Sequence, residues 1–88
     1  KLLYINKGEE FSLQYHTHRQ EFWKIISGHP DIIVGDKSFQ PKESEEFLIE
    51  PHTNHRISAP VDNVVVLEIS EGQFDENDIV RLEDKYNR

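Results

Sequence analysis

Short apolar or alternating runs bounded by turn residues recur along this chain. Val64-Val65-Val66-Leu67-Glu68-Ile69-Ser70 is the clearest: β-branched, apolar and closed by Glu71-Gly72, it predicts a strand. Leu2-Leu3-Tyr4-Ile5 predicts an edge strand or a strand lent to a partner, and Lys7-Gly8-Glu9-Glu10 turns the chain. Over residues 11–16, Phe11, Leu13 and Tyr15 fall on one face and Ser12, Gln14 and His16 on the other. Further strands are predicted over residues 22–27 (closed by Gly28), 31–34, 37–40, 46–50 and 55–58, with Gly35-Asp36 as a hairpin turn. A turn over 75–78 leads into an extended segment over 79–83. Short strands at this spacing predict an all-β sandwich or barrel.

One run breaks the rule that the inward face is apolar. Gln14, His16 and His18 share a face, and burying such side chains is costly unless something binds them; a metal ion would. Same-face neighbours lie roughly 6.5–7 Å apart, so two adjacent ones converge on a metal more easily than three in a row. That leaves Gln14 with His16, or His16 with His18. If the chain forms a hairpin here, setting His18 opposite Glu21 leaves Arg19-Gln20 as a two-residue loop, a poor sequence for one. Setting His16 opposite Glu21 leaves a four-residue turn, Thr17 to Gln20, and gathers Gln14, His16 and Glu21 around one point. His18 and Arg19 then stand at its mouth, and His55 is the natural further ligand. His18 keeps two readings, alternative ligand and substrate contact. The mixed nitrogen and oxygen set suits one divalent ion, Zn²⁺ first, with Mn²⁺, Fe²⁺, Co²⁺ or Ni²⁺ as alternatives.

The spacing Gly8-x5-Gln14-x-His16-x4-Glu21-x6-Gly28 resembles the first cupin motif, with Gln in place of the first His. A second motif is weaker: His55 fits its ligand position, but Ser44, Glu50, His52 and Ala59 replace the family's Gly, Pro, Gly and Asn. Leu13-Gln14-Tyr15-His16-x-His18-Arg19-x-Glu21-x-Trp23 and the ending from Asp78-Ile79-Val80-Arg81 to Tyr86-Asn87-Arg88 are similar to the C-terminal cupin domain of type II mannose-6-phosphate isomerases. The resemblance covers almost the whole chain. It implies a small double-stranded β-helix, the cupin jelly roll, as a single domain over 1–88. It also implies a metal shell of Gln14, His16, Glu21 and His55, and a homodimer.

Size and charge bound the rest. A chain of 88 residues buries only about 60–65% of its unfolded surface, so a metal or a dimer interface would help it. A net charge of −7 argues against nucleic acid and anionic membrane as partners. With no cysteine there are no disulfides and no thiolate chemistry. The apolar runs are too short to span a membrane as helices, and the expected location is the cytoplasm.

The resemblance implies a metal-dependent aldose–ketose isomerase that interconverts mannose 6-phosphate and fructose 6-phosphate. A phosphorylated sugar would be held by guanidinium groups, for which Arg19, Arg81 and Arg88 are the candidates. The general base is expected to be Glu68, the one acid in an apolar strand, or His18. The competing reading is a non-catalytic module that binds metal and sugar. An iron oxygenase is a third reading, which the phosphate-suited arginines disfavour.

Overall fold

The structure, a computed structural model, describes residues 1–73, 75 and 77–83. Nine strands form among them: β1 Leu2–Ile5, β2 Leu13–Tyr15, β3 Arg19–Ser27, β4 Asp31–Val34, β5 Lys37–Phe39, β6 Glu46–Ile49, β7 His55–Ser58, β8 Val64–Gly72 and β9 Val80–Glu83. They make two antiparallel sheets, one in the order β1-β8-β3-β6 and the other β5-β4-β7-β2-β9. The all-β class and the double-stranded β-helix are as expected. No helix long and apolar enough to cross a membrane occurs among the described residues.

Alternation places the core. Leu3 and Ile5 in β1, Val64 and Val66 in β8, Trp23 and Ile25 in β3, and Ile49 in β6 point inward from the first sheet. Ile32 and Ile57 meet them from the second. β1 is an edge strand of its sheet and pairs with β8 of the same chain from Leu2↔Leu67 to Ile5↔Val64. Phe11 departs from the expected alternation. β2 is only three residues long, and Phe11 precedes it, donating its N–H to the Ile57 carbonyl and packing against the core.

The connection between β2 and β3 is not a hairpin. β2 pairs with β7 and β9, whereas β3 pairs with β6 and β8. The chain crosses from one sheet to the other through Thr17 and His18. The Asp78 carboxylate takes up the crossing by accepting the Thr17 and His18 backbone N–H groups, each at 2.8 Å, and the Thr17 hydroxyl. These donors, the hydroxyl first, hold the Asp78 carboxyl well below the usual carboxylate range.

Backbone conformation marks the turns. Gly35 sits at φ 65°, as a tight hairpin between Val34 and Lys37 requires. Gly28 ends β3 at φ 90°, where a Cβ would lie 2.3 Å from the Asn63 carbonyl oxygen. Among the described residues, Ser44 and His52 are the two non-glycine positions with positive φ, 74° and 64°. They stand where the second cupin motif has glycine, the residue for which a positive φ costs least.

Candidate metal centre

A cavity of about 170 Å³ opens between the sheets, and Gln14, His16, Arg19, Glu21, His55 and Glu68 are among its lining residues. Glu21 points in from β3, where it lies opposite Ile49 of β6 and Ser70 of β8. The indole N–H of Trp23, two residues on and on the same face, donates to its Oε1 at 3.2 Å. His55 opens β7, opposite Gln14 of β2. Its Nδ1–H donates to the Thr53 carbonyl at 2.9 Å, which fixes the tautomer and leaves Nε2 with a free lone pair 3.7 Å from Glu21 Oε1. The edge of Trp23 packs against the imidazole with centroids 5.3 Å apart. His16, just past β2, stacks on His55 at 5.2 Å and brings Nδ1 to 3.8 Å from Glu21 Oε2.

One donor atom from each of His16, Glu21 and His55 thus lies within 4.8 Å of the other two. Donors bound to a transition ion at about 2.0–2.2 Å stand at most about 4.4 Å apart, so sub-ångström closure would complete the contact. Two imidazoles and a carboxylate, all buried, are a fit for a divalent ion. Gln14, opposite His55 in the β2–β7 register, lines the same cavity, and its side-chain amide oxygen would be a fourth donor beside the three.

Electrostatics agree with that donor set. Burial pushes the His16 imidazolium down to about 4, helped by the Arg19 charge, and burial likewise lowers His55, so both rings are neutral near pH 7. Burial raises Glu21 against the opposing pull of Arg19, whose guanidinium lies 3.3 Å from Oε2. The same guanidinium donates to His16 Nε2 at 2.8 Å. Glu68, opposite Trp23 in β8, is raised by burial and then by the nearby Glu21 charge.

The remaining sequence-predicted residues divide. Glu68 and Arg19 reach the cavity. His18 does not: its side chain is 63% exposed, bonded to the Thr17 hydroxyl at 2.8 Å and 3.6 Å from Asp78. Without a hairpin there, the crossing to the other sheet turns His18 out. Arg81 pairs with Gln14 across β9 and β2 but is exposed and does not line the cavity. Arg88 lies outside the described residues. Arg56, a weaker phosphate candidate on sequence than Arg19 or Arg81, is buried beside His55, lines the cavity and donates through Nε to the Phe11 carbonyl at 3.0 Å. Its only sequence signal was adjacency to His55.

Residues 1–84 match the family described as "Mannose-6-phosphate isomerase C-terminal". The chain belongs to this family. Among curated relatives of the mannose-6-phosphate isomerase C-terminal domain, the mannose-1-phosphate guanylyltransferase RfbM of Salmonella typhimurium is 34% identical over 83 residues. That match covers 92% of the chain and 17% of the relative. The alginate biosynthesis protein AlgA of Pseudomonas aeruginosa is 34% identical over 90 aligned positions, covering 100% of the chain and 19% of the relative. The chain therefore spans less than a fifth of the length of these relatives. In structure it is similar to the capsular polysaccharide assembling protein CapF from Staphylococcus aureus, with a TM-score of 0.82 and 18% identity over 93% of this chain and 27% of that one. A Klebsiella pneumoniae protein with a double-stranded β-helix domain gives 0.80 at 17% identity, covering 94% and 72%. These identities speak for the fold alone.

Proposed function

We propose that residues 1–88 form one cupin domain that binds a divalent transition ion, Zn²⁺ first among the candidates, and interconverts mannose 6-phosphate and fructose 6-phosphate. The observation that carries this is the convergence of His16, Glu21 and His55 on one buried point, with Glu68 on the same cavity. His16, Glu21 and His55 would hold the ion, with Gln14 beside them. Bound there, the ion supplies Lewis-acid polarisation of the sugar carbonyl. Glu68, its proton affinity raised by burial, takes the C2 proton of the aldose and returns it to C1, while the hydroxyl proton passes from O2 to O1. Arg19 is the cation nearest the ligands and suits a phosphate. Trp23 and Phe11 wall the cavity and keep water from the proton in transit.

Relatives whose names specify guanylyl transfer rather than isomerisation favour a second reading, a metal- and sugar-binding module without turnover. The cavity volume, about 170 Å³, is also below the roughly 300–1,000 Å³ usual for small-molecule sites. A coupled assay of fructose 6-phosphate formation from mannose 6-phosphate separates the two. Metal-dependent product that is abolished by chelator and by Glu68→Gln supports the isomerase. A folded, metal-loaded protein that forms none supports the module.

Pairing into a homodimer belongs to the same reading. The outward side of the β1-β8-β3-β6 sheet is apolar where solvent-facing strands are usually polar: Leu2, Tyr4, Leu48 and Ile69 are exposed, and Phe22 lies between Leu48 and Ile69. Four strands about 4.8 Å apart and up to about nine residues long present a face on the order of 600 Å². That reaches the lower end of what each partner of a stable pair buries, roughly 600–1,000 Å². Location in the cytoplasm, with neither nucleic acid nor membrane as partner, completes the proposal.

A further inference from the structure

The position of Arg19 carries a consequence for metal binding itself. A neutral imidazole has one in-plane lone pair. His16 gives its lone pair to Arg19: a guanidinium only donates, so Nε2, 2.8 Å from the Arg19 nitrogen, is the acceptor. An ion bound through Nε2 needs that same lone pair. An ion bound through Nδ1 moves the proton to Nε2, which then faces Arg19 donor to donor. By either nitrogen, the bond between Arg19 and His16 is lost. Glu21 adds to the conflict, since the guanidinium lies 3.3 Å from Oε2, and a dication drawn to the same carboxylate repels it.

Arg19 has somewhere to go. Besides the main cavity it lines a second, more open one of about 340 Å³, together with His18, Gln20, Pro51, Glu71 and Gly72. A rotation of its side chain exchanges the ligand cluster for this outer surface. Four rotatable side-chain bonds permit that without moving β3.

We propose that Arg19 is a resident cation of the metal centre, which holds His16 and Glu21 together in the metal-free protein and is displaced when the ion binds, becoming available to a phosphate oxyanion. It rests on the metal reading above. The guanidinium and the ion compete for two ligands, while the ion and a phosphate assist one another through Arg19. Reciprocity follows: whatever factor the ion adds to phosphate affinity, phosphate adds to ion affinity.

Titration with Co²⁺, followed both by calorimetry and by the visible d–d bands of the bound ion, tests the first half. Arg19→Gln is expected to bind Co²⁺ at least about tenfold more tightly than the parent, the size of one charge-assisted hydrogen bond. Arg19→Lys, which keeps a cation, falls between them. Equal or weaker binding by a folded Arg19→Gln protein, with the parent binding normally, overturns the competition and leaves the metal reading standing. Absence of Co²⁺ binding in both overturns the metal reading and the competition with it. Inorganic phosphate then tests the second half. Co²⁺ is expected to raise phosphate affinity by a larger factor in the parent than in Arg19→Gln, because only the parent has a guanidinium to release. Equal factors overturn the anion role.

Discussion

His55 becomes a ligand candidate through its second nitrogen. Because Nδ1–H is committed to the Thr53 carbonyl, the ring can neither rotate nor change tautomer without losing a buried bond, and Nε2 is held bare toward Glu21. Replacing His55 by Ala, or Glu21 by Gln, is expected to weaken divalent metal binding by more than the about 10–100-fold that loss of an outer partner costs. Calorimetric titration of each variant checks this, and an unchanged affinity would remove that residue from the shell. The same burial predicts a pH dependence of the metal-free protein. As pH falls through 6.5 the unfolded chain protonates both imidazoles, while the folded protein resists, His16 down to about 4. The unfolded state thus binds more protons in that window. Stability is full above pH 6.5 and declines as pH drops toward about 4. Glu21, raised by burial, acts in the opposite sense as pH rises above its ordinary 4.5. Urea midpoints at about pH 7.5 and 5.5 are expected to fall less in His55→Gln than in the parent; equal falls would show that His55 does not titrate as its burial requires.

Among the elements, the turns hold the strands in register by backbone conformations that composition alone does not reveal. Gly28 closes β3 against Asn63 and Val64, where an added Cβ meets backbone 2.3 Å away. Gly28→Ala is expected to cost about 1–3 kcal/mol in a denaturant melt, since both the positive φ and the contact oppose it. Ser44 poses the converse case. With φ 74° it bears the steric cost of a left-handed side chain, and Ser44→Gly is expected to gain about 0.5–1 kcal/mol after the extra entropy of the unfolded glycine is subtracted. A loss in the Ser44→Gly melt would mean that the serine side chain supplies more than the backbone strain takes away. The strand spans themselves were largely legible. Residues 31–34 and 55–58 coincide with β4 and β7: Ile32-Ile33-Val34 is a β-branched run between Pro30 and Gly35, whereas 55–58 is marked off by the turn residues Pro51 to Asn54 before it and by Pro60 after it. The start of β3 at Arg19 was not legible, because Arg19 and Gln20 have no apolar signal and are strand only through pairing with Gly72 and Glu71.

For the molecule as a whole, the apolar outward side of the β1-β8-β3-β6 sheet predicts self-association. Sedimentation is expected to show a dimer, and Leu48→Lys with Ile69→Lys to turn it into a monomer whose metal affinity is unchanged, since both side chains point away from the cavity. A monomeric parent would count against the homodimer. From the sequence alone came the all-β class, the strands that carry Ile5, Ile25 and Val66, and the grouping of His16 with Glu21 and His55, since residue chemistry and strand propensity are local properties. Their meeting was anticipated through a hairpin that does not exist. Only the tertiary structure brings β2 and β3 together from opposite sheets, turns His18 outward and Arg19 inward, and places Arg56 beside the cavity. Which face a connecting residue presents is decided by which sheet each strand joins. That choice depends on partners far along the chain, among them Asp78, whose carboxylate takes up the crossing from 61 residues away.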